Sequence, residues 1–227
     1  MIDDPQERAA SKRTRTRILT CGRRIVARSG LRGLTVRGVA AQAKVNLGTF
    51  VYHFGTRDDF LKEVMESWYA PIYSRLFELS VDEALPPLER MRRYVLQLAE
   101  FLSENRRFVR NLLIDAAGEE QAVRFLKSLL GRHPLLLFRL IVEAQQAGDL
   151  PAGDPLKLGV YLVGATLLPT LWIGVLMPDG LMLNETQPLP REMLFATEEI
   201  EQRFNWALQG LLPQHAPKKL KKTKAGQ

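Results

Sequence analysis

Side chains suited to bond-making chemistry are few and scattered in this chain. The three histidines, His53, His133 and His215, fall at no metal-ligand spacing, and the single cysteine, Cys21, has no partner thiol. No glycine-rich phosphate loop and no nucleophile-elbow motif occurs. An enzyme is therefore disfavoured, and neither a cofactor nor a metal site is expected. The residues present in quantity are those that grip a polyanion. Residues 1–57 hold 12 Lys and Arg against 3 Asp and Glu, whereas residues 58–217 hold 15 against 22. The tail 218–227, "KKLKKTKAGQ", adds 5 lysines and no acid. A basic first quarter on an acidic body is the footprint of a nucleic-acid-binding head.

The elements that must position these charges read as helices throughout. Ile18, Cys21, Gly22, Ile25 and Val26 share one stripe of a helix expected over 11–29, with Gly30 as its stop. Thr35 is a good N-cap for "VRGVAAQA", and Asn46 for the segment after it. That next segment, "LGTFVYHF", has the β-branched and aromatic composition of a strand. On a helix, however, its Phe50 and Phe54 are four apart and share an inward face with which Val45 packs. Two short helices joined by a tight turn make a helix-turn-helix. Long helices follow: one from about residue 57 that Pro71 should kink or restart, two that break near Asn105, one over 119–148 disturbed at Gly131 and Pro134, one capped by Asp154, and one over 191–212. The fold class expected is all-α, with about nine helices. Asp115, between Ile114 and Ala116, is expected on an exposed helix face.

Between residues 18 and 60 the ordered set of residues resembles the DNA-binding head of the TetR family of bacterial repressors. Ile18, Cys21, Gly22 and Gly30 match that family's first helix; Thr35, Val36, Arg37, Val39 and Ala40 match its Thr-Val-Arg-x-Ile-Ala. Ala43 to Asn46 stand for Ala-Gly-Val-Ser, and Gly48 to Phe54 for Gly-Thr-Leu-Tyr-Tyr-His-Phe. Thr56, Arg57 and Asp58 open the fourth helix. There are departures: Lys44 replaces the glycine of the turn, Gly38 an acidic residue, and Val51 the first tyrosine. The resemblance implies a homodimer that reads a palindromic DNA operator and is released by a small molecule. On the reading helix, Leu47, Thr49 and Val51 are expected at base edges, Gly48 permits close approach of the backbone, and the N-cap Asn46 is counted with them at the DNA. Tyr52, His53, Thr35, Arg37 and Arg57 are expected on phosphates, and Lys12, Arg13, Arg15 and Arg17 on an N-terminal arm.

The expected partition is a helix-turn-helix head over 1–56, a helical effector-binding and dimerisation body over 57–213, and a disordered basic tail over 214–227. "LGVYLVGATLLPTLWIGVLM", 158–177, carries no charge and is long enough to span a bilayer. The resemblance instead gives this run and the last helix to a four-helix dimer interface, with no membrane partner. Candidate pocket residues are the large or polar groups Trp68, Tyr69, Tyr94, Phe101, Phe125, Tyr161, Thr166 and Trp172, whose apolar setting implies a hydrophobic or aromatic effector. The start "MIDDPQER" lacks the features of a signal peptide, and the lone cysteine suits a reducing compartment, so a cytoplasmic location is expected. Two other readings stay open at the level of sequence: a DNA-binding protein without a small ligand, and a membrane-attached protein.

Overall fold

A computed structural model describes residues 5–172 and 195–211. The end of the uncharged run at 173–177, the loop at 178–190 and the basic tail lie outside the described residues. Among those described there are helices only: α1 (Pro5–Ser29), α2 (Val36–Gln42), α3 (Leu47–Phe54), α4 (Arg57–Val81), α5 (Pro87–Glu104), α6 (Arg106–Asp115), α7 (Glu120–Leu129), α8 (His133–Gln146), α9 (Pro155–Thr166) and α10 (Thr197–Leu211).

Local chemistry sets most of these boundaries. Thr35 accepts from Gly38 N at 3.1 Å and Asn46 from Thr49 N at 2.7 Å, fixing the starts of α2 and α3. Thr56 and Asp59 form a reciprocal capping box at the start of α4. Asp154 accepts from Leu156 N at 2.9 Å and starts α9. Gly30 adopts φ 75° to close α1. α1 begins earlier than expected because "QERAA" contains good helix formers and no breaker.

Two expectations, for Pro71 and for the uncharged run, are revised, and the expected disturbance at Gly131 and Pro134 is located. α4 runs through Pro71 as one element, held from within by buried Trp68, Tyr69, Ile72 and Leu76. The segment 119–148 divides at Gly131 and Arg132 into α7 and α8, with Pro134 in the first turn of α8, where its missing N–H costs nothing. The helix begun at Pro155 breaks at Leu167 before a helical course resumes to Trp172. Among the described residues no helix is long and apolar enough to cross a membrane.

The head packs against α4, and α6 closes the other side of α1. Phe50, Phe54 and Phe60 form an aromatic triad with ring centroids 4.8–5.6 Å apart. Gly22 is required there, because a Cβ on it would lie 2.6 Å from Phe60. The core continues without interruption into the body, where α8 packs on α4 and α5, α10 packs on α5, and α9 packs on α8 and α10.

Asp115 corrects the expectation of an exposed acid. It is buried and accepts from Leu31 N at 2.5 Å, with the Arg32 guanidinium 3.9 Å away. Asn111, one turn earlier on α6, donates to Val26 O and Ala27 O at 2.8 and 3.1 Å. α6 thus grips the carbonyl end of α1.

Candidate DNA interface and effector cavity

The strand-like composition of α3 is sorted by its helical faces. Phe50 and Phe54 are buried, whereas Leu47, Val51 and Tyr52 are 45%, 56% and 81% exposed. Large apolar side chains left in solvent on a two-turn helix need a partner to cover them. Gly48 and Asn46 are exposed on the same end, and Thr49 is half-buried with its hydroxyl bonded to Asn46 Oδ1 at 2.9 Å. His53 is half-buried with its ring 5.0 Å from that of Tyr52. Lys12, Arg13 and Arg17 of α1 and Arg37 of α2 are exposed.

The turn before α3 contains the one positive-φ non-glycine residue among those described, Lys44 at φ 51°. The backbone bends as it would for the expected glycine, and the exposed Lys44 side chain adds a cation just before α3. Val45 N then donates to Ala40 O at 3.0 Å and closes the turn.

Two residues expected at DNA are held elsewhere. Arg57 turns inward and donates to Leu34 O at 3.0 Å, Leu31 O at 2.8 Å and Glu119 at 3.2 Å, so it ties the head loop to the body. Arg15 pairs with Glu63 of α4, its guanidinium 5.0 Å from the Phe54 ring centroid. Both cations are spent on packing α1 and its loop. Asp59 is held below the ordinary carboxylate range by its hydrogen bonds to Thr56.

In the body, α4 to α9 line a cavity of about 520 Å³ that opens to solvent beside the exposed Val160 and Leu168. Its wall is apolar apart from three hydrogen-bonded groups. Trp68 Nε1 donates to Asn105 Oδ1 at 2.9 Å; the Tyr69 hydroxyl and His133 Nδ1 share a hydrogen bond of 2.9 Å; Tyr94 donates to His133 O at 2.5 Å. Burial pushes the Tyr69 phenol up to about 12, raises that of Tyr94 further, and lowers His133 to about 4. All three groups are therefore neutral near pH 7. Arg132 pairs with Glu66 at 2.9 Å, which raises the arginine's pKa, and lies over the Tyr69 ring.

Of the candidate pocket residues, Trp68, Tyr69, Tyr94 and Phe101 line this space. Phe125 stands behind it, 6.4 Å from Trp68 and 6.0 Å from Tyr69 between ring centroids. The others point elsewhere. Tyr161 and Trp172 are exposed on the outer surface, and the hydroxyl of buried Thr166 is bonded to Leu162 O at 2.5 Å. His133 was missed as a wall residue, because its partners Tyr69 and Tyr94 are distant in sequence.

Residues 18–64 match the family described as bacterial regulatory proteins, tetR family. The chain is 21% identical over 137 residues to the HTH-type transcriptional repressor DhaR of Mycobacterium sp. (strain GP1), covering 60% of this chain and 69% of that one. Among solved structures it is similar to the TetR-family transcriptional regulator PfmR from Thermus thermophilus, with TM-score 0.61, 18% identity and 86% and 98% coverage of the two chains. It is also similar to SmeT, solved as a triclosan complex, with TM-score 0.67, 20% identity and 87% and 90% coverage. The capped α2–turn–α3 head thus carries the family's match over residues 18–64, and with the helical body behind it the chain has the fold of these solved TetR-family structures.

Proposed function

We propose that the protein is a homodimeric repressor that reads a palindromic operator with α3 and is released when a small hydrophobic molecule fills the body cavity. The observation that carries the reading is the outward face of α3, where Leu47, Val51 and Tyr52 stand exposed beside Thr49 and Gly48. A recognition helix enters the major groove and presents its N-terminal residues to base edges. Thr49 can bond either base type, while Leu47 and Val51 fit against thymine methyls. Tyr52, His53, Thr35, Arg37, Lys12 and Arg13 hold phosphates and fix register. In this partition residues 1–56 are the reading head and 57–213 the sensing and dimerising body.

Dimerisation is supported by α9 and α10, which pack on each other and, with the turn after α9, leave Val160, Tyr161, Leu168 and Trp206 44–65% exposed. An apolar face of this kind matches an isologous contact with a second copy. Effector release is supported by the cavity, whose volume suits a small organic ligand and whose polar groups are already paired. SmeT, similar in fold, is solved with triclosan. To release DNA, the ligand must favour the non-binding state, with a coupling of about 1–3 kcal/mol.

The test is the salt dependence of binding to the DNA upstream of its own gene. Log affinity should fall linearly and steeply with log salt. A nearly salt-independent affinity would sink the major-groove reading.

A further inference from the structure

Away from the reading face, α1 and α6 face each other across two adjoining clefts of about 640 and 460 Å³. They are lined by Arg23, Arg24 and Arg28 of α1 and by Arg106, Arg107 and Arg110 of α6. Glu104 is the one carboxylate among the lining residues. Among the described residues none of these arginines forms an ion pair, and the buried Nε of Arg110 has no hydrogen-bond partner. The first turn of α6 opens into the same space. Its N-cap, Asn105, makes no side-chain cap, because its Oδ1 is taken by Trp68. The positive end of the helix is therefore left to whatever enters the cleft.

Trp68 connects this cleft to the apolar cavity, since its indole lines both. On one side it stacks on Phe108, 4.4 Å between centroids, and on the other it meets Phe101 at 4.8 Å. We propose that the arginine cleft seats the phosphorylated head group of an amphipathic effector whose apolar chain reaches the cavity behind Trp68. This rests on the cavity being the effector site. A phosphate fits better than a single carboxylate, because several guanidinium forks and a helix N-terminus converge and a phosphate offers more acceptor oxygens. The chain passes where the Trp68–Asn105 hydrogen bond now closes the wall. Such a ligand bridges α1, which carries the head's core residues Ile18, Ile25 and Val26, to α6, which walls the cavity with Val109, Leu112 and Leu113. Occupancy would thus fix the head against the body.

The test is calorimetric titration of the full chain, without DNA, using decyl phosphate, decanol and inorganic pyrophosphate. Decyl phosphate should bind at least about tenfold more tightly than decanol. The double variant Arg24→Gln/Arg107→Gln should lose that advantage while binding decanol unchanged, and Arg107→Lys should retain part of it. Arg23→Gln/Arg106→Gln, checked by its melting curve, repeats the comparison should the first pair fail to fold. Equal affinity for decyl phosphate and decanol, or indifference to the arginine variants, overturns the head-group seat and leaves the cavity reading standing. Pyrophosphate binding as tightly as decyl phosphate overturns the link between cleft and cavity. Weakened DNA binding by the variants with unchanged ligand affinity gives the cleft to DNA phosphates and overturns the proposal. If decanol and decyl phosphate both fail to bind, the cavity reading itself falls.

Discussion

The backbone amide of Leu31 donates to the carboxylate of Asp115 at 2.5 Å, across 84 residues of sequence. This bond fastens the loop that follows α1 to the last turn of α6. Gly30 beside it is forced, because φ is 75° and a Cβ there would meet Asp115 Oδ2 at 2.5 Å. Replacing Asp115 by Ala leaves a buried donor unsatisfied and should cost about 1–3 kcal/mol in urea unfolding. Asp115→Asn keeps an acceptor and should cost less. Equal, negligible losses for both variants would mean that this contact does not hold the loop.

How far the molecule was legible in its sequence depends on how far apart the interacting partners lie. Thr35, Asn46 and Asp154 could be named as caps because a cap and the amides it satisfies are two or three residues apart. The inward face of α3 followed from helical spacing alone. Asp115, Arg57 and His133 were misread or missed, since their partners sit 84, 23–62 and 39–64 residues away. The same reason separates Trp68, Tyr94 and Phe101 from Tyr161 and Trp172. All are aromatics on apolar helices, and only tertiary packing decides which face meets the cavity and which meets solvent.

Lys44 occupies the left-handed region at φ 51°, where a Cβ costs roughly 1 kcal/mol. Lys44→Gly should therefore stabilise the head, by less than about 1 kcal/mol once the looser unfolded chain is counted. The same variant removes an exposed cation beside α3, so its DNA affinity should drop and its salt slope become shallower. Thermal melts and a salt titration separate the two effects. A destabilised variant would contradict the strain at this turn.

Burial holds His133 at about 4, below the ordinary histidine range. Between that value and about 6.5 the unfolded chain binds the extra proton, so stability is complete above the unfolded value and is lost as pH falls. The loss approaches about 3 kcal/mol at the acid end of this window. Melting temperatures between about pH 7 and about pH 4.5 should show it. His133→Gln, which retains an acceptor for Tyr69, should flatten that slope. A variant with the wild-type slope would assign the acid sensitivity to other groups.

The exposed face of α9 and α10 should not tolerate charge if it is the dimer contact. Trp206→Glu should sediment as a monomer with its helical content intact, because the residue is exposed in the single chain and stands outside the cavity wall. Operator affinity should then fall at least about tenfold, since one head alone grips one half-site. A dimer of undiminished affinity would place the interface elsewhere.

Whether two copies of α3 read adjacent major grooves is tested most directly by nuclease footprinting on the DNA upstream of the protein's own gene. The footprint should be a protected palindrome with half-sites about one helical turn apart, centre to centre, or a multiple of it. Thr49→Ala or Val51→Ala should change which bases are required within each half-site, while Phe50 stays in place to hold the helix. Protection with no two-fold symmetry, or a footprint indifferent to both substitutions, would contradict it.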